Sequence, residues 1–538
     1  MANHRWRFAA RLVVATLILD LVLIMPNHPD ALNLAALEMF PLELPVLLCV
    51  LLLLPPGLFV TRWVELGFVL FLTLVSVIKI ADFFIFLSFN RGFNLVVDWN
   101  LVAAGVHTLA EAIGYFLTVG LLLLTLFSVG LFALLLRWAI RAWTVVVPNL
   151  FMKRLTVASL FLATSVAVAE VGHVAGSWHL TYKPPGDTFT FRTAWRYVGE
   201  SVSTWRSLRH FEQIVQQQPV SRAPGLLSKL KGLDVLLVFV ESYGRSSFDN
   251  PQYAATHVKT LLAAQDRLAK QGLAMRSGWL TAAMVGGQSW LSHSTLASGL
   301  WVSDQGRYRA LLNSGRSTLF HDAKLAGFRT VAIMPAIRLD WPDGEFFGFD
   351  AIYPSQKLGY QGLPFNWVTV PDQFTFAALD RLERQNPEGN LFVQLALISS
   401  HAPFTPVPKL LPWSSLGDGS EFNDMARSGS SPEEVWADSN RVRDQFRQAI
   451  DYSLQTVFDY IERSANRRQL VIVLGDHEPA KFISGVSGQD VAVHLIGAPE
   501  VLASIDPWGF TPGMVPDPNL AAWRMDQFRE RFVRAFSD

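Results

Sequence analysis

Four short apolar runs in the C-terminal half of this 538-residue chain end in residues that can do chemistry. Glu241 follows VFV, Asp476 and His477 follow VIVLG, Ser399, Ser400 and His401 follow LALI, and Arg338 and Asp340 follow the run that ends in Met334. Glu, Asp and His together make an oxygen- and nitrogen-rich set suited to Zn²⁺ or Mn²⁺. A fourth ligand would be a hydroxyl from GGQSWLSHST, residues 286–295. A serine hydroxyl is a poor nucleophile at neutral pH, and coordination to a dication is one way to activate it. Gly286 and Gly287 let the backbone turn tightly and approach an anionic substrate. The same segment, read alone, is also an ordinary loop and helix cap. A carboxylate at one strand end is commonly a cap; the coincidence of several at one rim points to a site.

The elements that must position these residues can be read from the same runs. Residues 234–240, 328–334, 391–398, 469–474 and 491–496 are near-continuous apolar segments separated by helical stretches. That pattern predicts an α/β domain with a mostly parallel central sheet covered by helices on both faces. Ligands in such folds sit outside the carboxyl ends of the strands. The only cysteine, Cys49, lies in an apolar run, so the C-terminal half has no disulfide framework, cysteine zinc site or cysteine nucleophile. Zero formal net charge and the lack of a basic stripe give no reason to expect a nucleic-acid partner.

Composition divides the chain. It is 51% hydrophobic and only 17% charged, with most of the excess before residue 175. Residues 112–136 carry no charge over 25 positions, enough to cross a bilayer core of about 30 Å. Residues 44–61 are likewise charge-free despite Pro45, Pro55 and Pro56. Residues 8–26, 64–89 and 155–174 complete a predicted five-helix transmembrane domain, 1–174. The first span lacks a small-residue cleavage site before Asn27 and reads as retained. Lysine and arginine counts are eight for the N-terminus, the 61–65 turn and the 137–154 loop, against one, Arg91, for the alternate loops. This bias places the N-terminus in the cytoplasm and everything after residue 174 outside. Lys79 and Asp82 share one helix face and read either as a self-neutralising pair or as part of a headgroup-binding surface. Asp98, His107 and Glu111 in the 90–111 loop are further candidates for such a surface. Residues 175–230 form a juxtamembrane connector, with 189–218 spaced as an interfacial or surface helix ended by Pro219 and Pro224. Residues 231–538 form the catalytic domain.

The ordered set of segments resembles the alkaline phosphatase/sulfatase superfamily and is most similar to its membrane-anchored branch, the lipoteichoic acid synthases and phosphoethanolamine transferases. The resemblance covers nearly the whole chain in architecture and four short segments in motif. It implies that Glu241 in VESYG is the first metal ligand and that Asp476 and His477 in GDHEP are the closing metal pair. Ser289 in GGQSWLSHS takes the position usually held by a nucleophilic threonine, and so also a place on the metal. Ser292, Ser294 and Thr295 remain open as alternative matches. His401 in SSHAPF matches a histidine that contacts the transferred phosphate. Arg338 and Trp341 in IRLDW resemble substrate-binding residues, with Asp340 between them. His494 stands where relatives place a second-metal or substrate histidine, and equally reads as a buried strand histidine. His293, four residues after Ser289, either approaches the site or packs. The Cys-x-Pro-x-Arg motif of sulfatases is missing, which argues against sulfate-ester chemistry. The cysteine set of lipid A phosphoethanolamine transferases is missing too.

The resemblance implies transfer of a phospholipid-derived headgroup, phosphoglycerol or phosphoethanolamine, through a phospho-serine to an extracytoplasmic glycan or glycolipid. It implies one divalent metal, Zn or Mn, with room for a second, and a place in a bacterial inner membrane with the catalytic domain periplasmic. The alternatives are a membrane-bound phosphodiesterase or phosphatase of the same superfamily and a catalytically silent scaffold for envelope assembly.

Overall fold

The structure, a computed structural model, describes all residues except 1, 33–38, 90, 175–176, 179–185, 217–224, 339–340, 366–369 and 386–388; the side chains of 2–5, 30, 100, 103–104, 107–108 and 111–112 are also outside the description. The chain forms two compact units, residues 1–87 with 91–207 and residues 208–538 with 88–90.

The first unit is helical: α1 (Ala2–Ile24), α2 (Glu43–Leu53), α3 (Phe59–Phe89), α4 (Trp99–Ile113), α5 (Tyr115–Thr144), α6 (Leu150–Val174) and α7 (Phe189–Gln216), the last running into the second unit. Among the described residues α3, α5 and α6 are long and apolar enough to cross a membrane, which makes this a membrane protein. The expected span 44–61 is interrupted. Pro55 and Pro56 lack the N–H that would continue a helix and push the preceding residue out of the α region. So α2 stops at Leu53, and its 11 residues rise only about 16 Å. The turn expected at 61–65 lies instead before Phe59, and Arg62 and Glu65 belong to α3. Gly114, at φ +86°, separates α4 from α5, so the long apolar span begins at Tyr115 rather than 112 and runs to Thr144.

Lys79 and Asp82 are both buried but do not neutralise each other. Lys79 Nζ donates to the Leu23 carbonyl (3.1 Å) and Thr190 Oγ1 (2.8 Å). Asp82 accepts from Asn27 (2.5 Å), Tyr197 (2.6 Å), the Phe93 amide (2.7 Å) and Arg196 (3.2 Å). Sharing a helix face sets direction but not reach, and each group finds nearer partners on other segments. Asp98 is held by a bidentate contact from Arg91, at 2.6 and 2.7 Å. The side chains of His107 and Glu111 lie outside the described residues, as do Pro219 and Pro224.

The second unit is built on one sheet of nine strands: β1 (Asp234–Val240), β2 (Ala274–Thr281), β3 (Arg329–Met334), β4 (Ala351–Pro354), β5 (Leu391–Ala396), β6 (Gln469–Gly475), β7 (Asp490–Gly497), β8 (Thr511–Pro512) and β9 (Trp523–Arg524). The order is β4-β3-β5-β1-β6-β7-β2-β8, with β9 beside β2. All pairings from β4 to β6 are parallel; β7 runs antiparallel to both β6 and β2, so β2 again points the same way as β6. Side chains alternate between two cores. Leu236, Val238, Val393, Val471 and Val473 pack on one face with the helices Pro251–Lys270 and Ser439–Arg463. Val235, Leu237, Phe392, Leu470 and Ile472 pack on the other with residues of Ser289–Ser298 and Phe528–Phe536. Apolar burial on both faces is why these strands read as continuous hydrophobic runs. It also leaves the polar chemistry to the strand ends.

Candidate metal centre

Parallel pairing sets the C-terminal ends of β3, β5, β1 and β6 side by side, in that order. The β1–β6 register pairs Val240 with Gly475, so the next residues, Glu241 and Asp476, leave adjacent strands at the same level. A side chain at Gly475 would stand 1.9 Å from the Tyr243 carbonyl, so only glycine lets the two strands come this close. Ser242, at φ +60°, turns the chain sharply after Glu241, and its amide donates to Asp476 Oδ1 at 2.8 Å. Its hydroxyl donates to Glu241 Oε1 at 3.0 Å. Non-glycine residues in this conformation are held there by surrounding bonds and concentrate at functional sites.

Glu241, Asp476 and His477 are buried, with 6%, 1% and 1% exposure, and offer ligand atoms that all lie within 4.8 Å of one another. His477 Nε2 is 3.1 Å from Glu241 Oε1 and 3.9 Å from Asp476 Oδ1. Among the described residues no lysine or arginine pairs with either carboxylate. Two buried carboxylates facing one imidazole lack positive charge, and the electrostatics register it. Burial, reinforced by the Glu241 charge, pushes Asp476 up to about 8. Burial alone would lower His477, but the Asp476 and Glu241 carboxylates outweigh it and lift the imidazole to about 10. Burial works to raise Glu241 as well, yet the charge of His477 carries it below the ordinary carboxylate range. A dication fits this donor set, in number, type and charge, better than a proton does.

The hydroxyl is supplied from β2. After Thr281 the chain is pinned to the segment beyond β6: Ala282 N–H donates to the Gln489 carbonyl (2.9 Å) and Gly286 N–H to the Glu478 carbonyl (2.8 Å). Ser289 then opens α10, Ser289–Ser298, the tenth helix of the chain after Ser246–Asp249 (α8) and Pro251–Lys270 (α9). Its Oγ donates to Glu241 Oε2 at 2.9 Å and lies 3.2 Å from His477 Nε2. The same Glu478 carbonyl accepts from His477 Nδ1 at 2.8 Å, which turns Nε2 and its lone pair toward the cluster.

The structure thus brings together Glu241, Ser289, Asp476 and His477. His401, in the turn after β5, lies close enough for its charge to act on Glu241, and its Nδ1 is 2.6 Å from the Ala402 carbonyl. Neighbouring Ser400 ties that turn to β1 by donating to the Glu241 carbonyl at 2.7 Å. Arg338 is exposed beyond β3, two strands from β1, and Trp341 stacks on Phe347 at 5.7 Å against the core. Asp340 lies outside the described residues. His494 has both ring nitrogens engaged: Ser277 Oγ, which gives its own proton to the Gly513 carbonyl, takes that of Nδ1, and Tyr243 donates to Nε2. Burial lowers it to about 3, and it serves as a neutral bridge inside the core. His293 packs 4.0 Å from the Phe239 ring, and burial lowers it to about 4.

Two residues stand out that the sequence did not single out. Glu478 is buried, its carboxylate accepting from the Ser246 amide and hydroxyl, both at 2.7 Å. Gln288 precedes the nucleophile candidate in the left-handed conformation, at φ +64°, with its buried Nε2 unpartnered among the described residues. The glutamate stands inside the GDHEP motif and could have been questioned for that reason. Nothing in the local sequence marks the glutamine.

Residues 234–489 match the model of the Sulfatase family. No curated protein matches the chain. Among solved structures it is similar to the lipoteichoic acid synthase LtaP from Listeria monocytogenes, at 14% identity over 53% of this chain and 71% of that one, with a TM-score of 0.34. It is also similar to the C-terminal periplasmic domain of EcEptC from Escherichia coli, at 13% identity over 57% and 82%, TM-score 0.38. A third is the Streptococcus pyogenes phosphoglycerol transferase GacH in complex with sn-glycerol-1-phosphate, at 12% identity over 54% and 74%, TM-score 0.34. The stretch that carries the cluster, from β1 through the turn after β6, is thus the part of the chain that matches the Sulfatase family model.

Proposed function

We propose that this protein transfers a phosphoglycerol or phosphoethanolamine headgroup from a membrane phospholipid to a hydroxyl of an extracytoplasmic glycan or glycolipid. One observation carries the reading: a serine hydroxyl stands 2.9 Å from Glu241 and 3.2 Å from His477, at the edge of a buried metal-ligand set. Glu241, Asp476, His477 and Ser289 are the residues that would hold the metal, Zn or Mn. When bound, the dication favours the deprotonated serine and offsets charge on phosphoryl oxygens.

Ser289 Oγ attacks phosphorus, the bond from phosphorus to the glyceride oxygen breaks, and diacylglycerol leaves with the proton that serine gave up. The acceptor hydroxyl then attacks the same phosphorus, the Ser289 ester breaks, and serine recovers a proton from the acceptor. His401 holds a nonbridging oxygen as charge develops, and Arg338 and Trp341 contact the substrate at the next strand end. Glu478 keeps His477 in one tautomer throughout. The five-pass topology with a periplasmic catalytic domain belongs to the same proposal, since the donor is confined to the bilayer.

Headgroup-labelled phosphatidylglycerol and phosphatidylethanolamine, incubated with the full chain and a glycan acceptor, test it. Diacylglycerol together with labelled acceptor supports transfer. Free headgroup phosphate without labelled acceptor would make the protein a hydrolase, and an inert, metal-free protein would make it a scaffold.

A further inference from the structure

At one end of the helical unit three arginines line a single cleft. Arg62 lies in the first turn of α3, and Arg137 and Arg141 lie in the last turns of α5, so the opposite course of the two helices brings them to the same end. The cavity between them measures about 440 Å³. Its walls are mixed: Phe59, Leu66 and Val69 are apolar, and Glu65 is its one carboxylate. That carboxylate is engaged, because Glu65 Oε1 accepts the Thr144 hydroxyl at 2.5 Å across the two helices. Among the described residues, no carboxylate lies within ion-pair distance of the three guanidinium groups. The cleft therefore concentrates three positive charges against one negative charge, next to the apolar surface of membrane-spanning helices.

A bias of arginine toward one end of spanning helices is ordinary and sets orientation. Orientation requires only that the charges lie near that end. It does not require them to converge on one cavity with an apolar wall. The guanidinium fork matches phosphate oxygens in pairs, and the exposed Phe59 and Leu66 offer hydrocarbon beside it. A soluble anion would use the first feature and leave the second bare; a phospholipid uses both. We propose that this cleft binds an anionic membrane phospholipid, with its phosphate on Arg62, Arg137 and Arg141 and its acyl chains along α3. The net excess of two positive charges favours a headgroup with two phosphates over one. Basic pockets between spanning helices bind such lipids elsewhere. The cleft belongs to the helical unit and the metal centre to the second unit, and the lipid site does not depend on the proposed reaction.

The full chain in phosphatidylcholine nanodiscs doped with cardiolipin or phosphatidylglycerol provides the test, with bound lipid counted by native mass spectrometry. Cardiolipin should be retained in preference to phosphatidylglycerol, and both over phosphatidylcholine. Each of Arg62→Gln, Arg137→Gln and Arg141→Gln should weaken retention about five-fold, and the triple variant on the order of 100-fold. The triple lysine variant, which keeps the charge without the paired donors, should retain more lipid than the triple glutamine variant and less than the wild type. The single variants carry the test should the triple glutamine variant fail to fold. Equal retention of charged and neutral lipid by the wild type, or undiminished retention in the glutamine variants, would reduce the arginines to topological signals. Displacement of cardiolipin by millimolar pyrophosphate would overturn the lipid assignment in favour of a soluble anion.

Discussion

The Gly286 amide donates to the Glu478 carbonyl at 2.8 Å, and that bond joins the loop that delivers Ser289 to the strand end that delivers Asp476 and His477. Because the same carbonyl fixes the His477 ring, one backbone atom sets both the nucleophile candidate and a ligand candidate. Gly286 makes this bond at φ +77°, a conformation that costs an L-residue about 1–2 kcal/mol. A methyl there would also stand 2.1 Å from the Ser88 carbonyl oxygen, so Gly286→Ala should destabilise the protein by more than that amount and displace the loop. A shift on the order of 1 Å near reacting groups costs roughly 100-fold in rate. We expect kcat to fall by about that factor with metal content retained, as read by steady-state kinetics beside metal analysis.

Metal binding should depend steeply on pH. Asp476, raised to about 8, and His477, raised to about 10, must both lose their protons to a cation. Two protons must leave below pH 8 and one between 8 and 10, so apparent affinity should rise about 100-fold per pH unit up to about 8 and about tenfold per unit from there to about 10. Chelator treatment should remove activity reversibly, and Asp476→Asn should lower affinity by at least about 100-fold, beyond the usual loss for an outer-shell partner. Competition titrations with a chromophoric chelator across pH measure both; a flat profile would count against these ligands.

Much of this arrangement was legible before the structure because it follows from burial. The strands β1, β3, β5, β6 and β7 are apolar on both faces, so each appeared as a continuous run, and β1, β5 and β6 ended at the polar residues of the site. Direction was not legible: β7 carries the same apolar pattern as its parallel neighbours and yet runs against them. β2 was not legible either, since it contains Arg276, Ser277 and Gly278. Each has a tertiary reason. Arg276 reaches Asp506 at 3.1 Å, Ser277 bonds His494 at 2.8 Å, and a side chain at Gly278 would stand 2.5 Å from the Phe510 ring. Without β2 the placement of Ser289 rested on resemblance alone. In the helical unit the apolar tally overrode Pro55 and Pro56, and the spacing of Lys79 and Asp82 suggested a pair where each residue bonds elsewhere.

Acid should destabilise the second unit through a histidine outside the candidate metal centre. His257 is fully buried, with Nε2 2.9 Å from the Arg447 carbonyl, and burial lowers it to about 4. The unfolded chain binds the proton near 6.5 and the folded chain only near 4, so stability present above pH 6.5 is lost as pH falls toward 4. The loss amounts to about 3 kcal/mol from this residue. His257→Gln keeps a donor for Arg447 without the titration. Its thermal stability should fall less than that of the wild type over the same window, and parallel curves would exclude His257 as the source.

The account rests on a covalent ester at Ser289. Headgroup-labelled phospholipid, a brief incubation, an acid quench and peptide mass mapping would measure it directly. The account predicts one labelled headgroup phosphate on the peptide that contains residues 286–295, assigned by fragmentation to Ser289 and absent from Ser289→Ala. A label on Ser292, Ser294 or Thr295, or steady product formation with none on the protein, would contradict it.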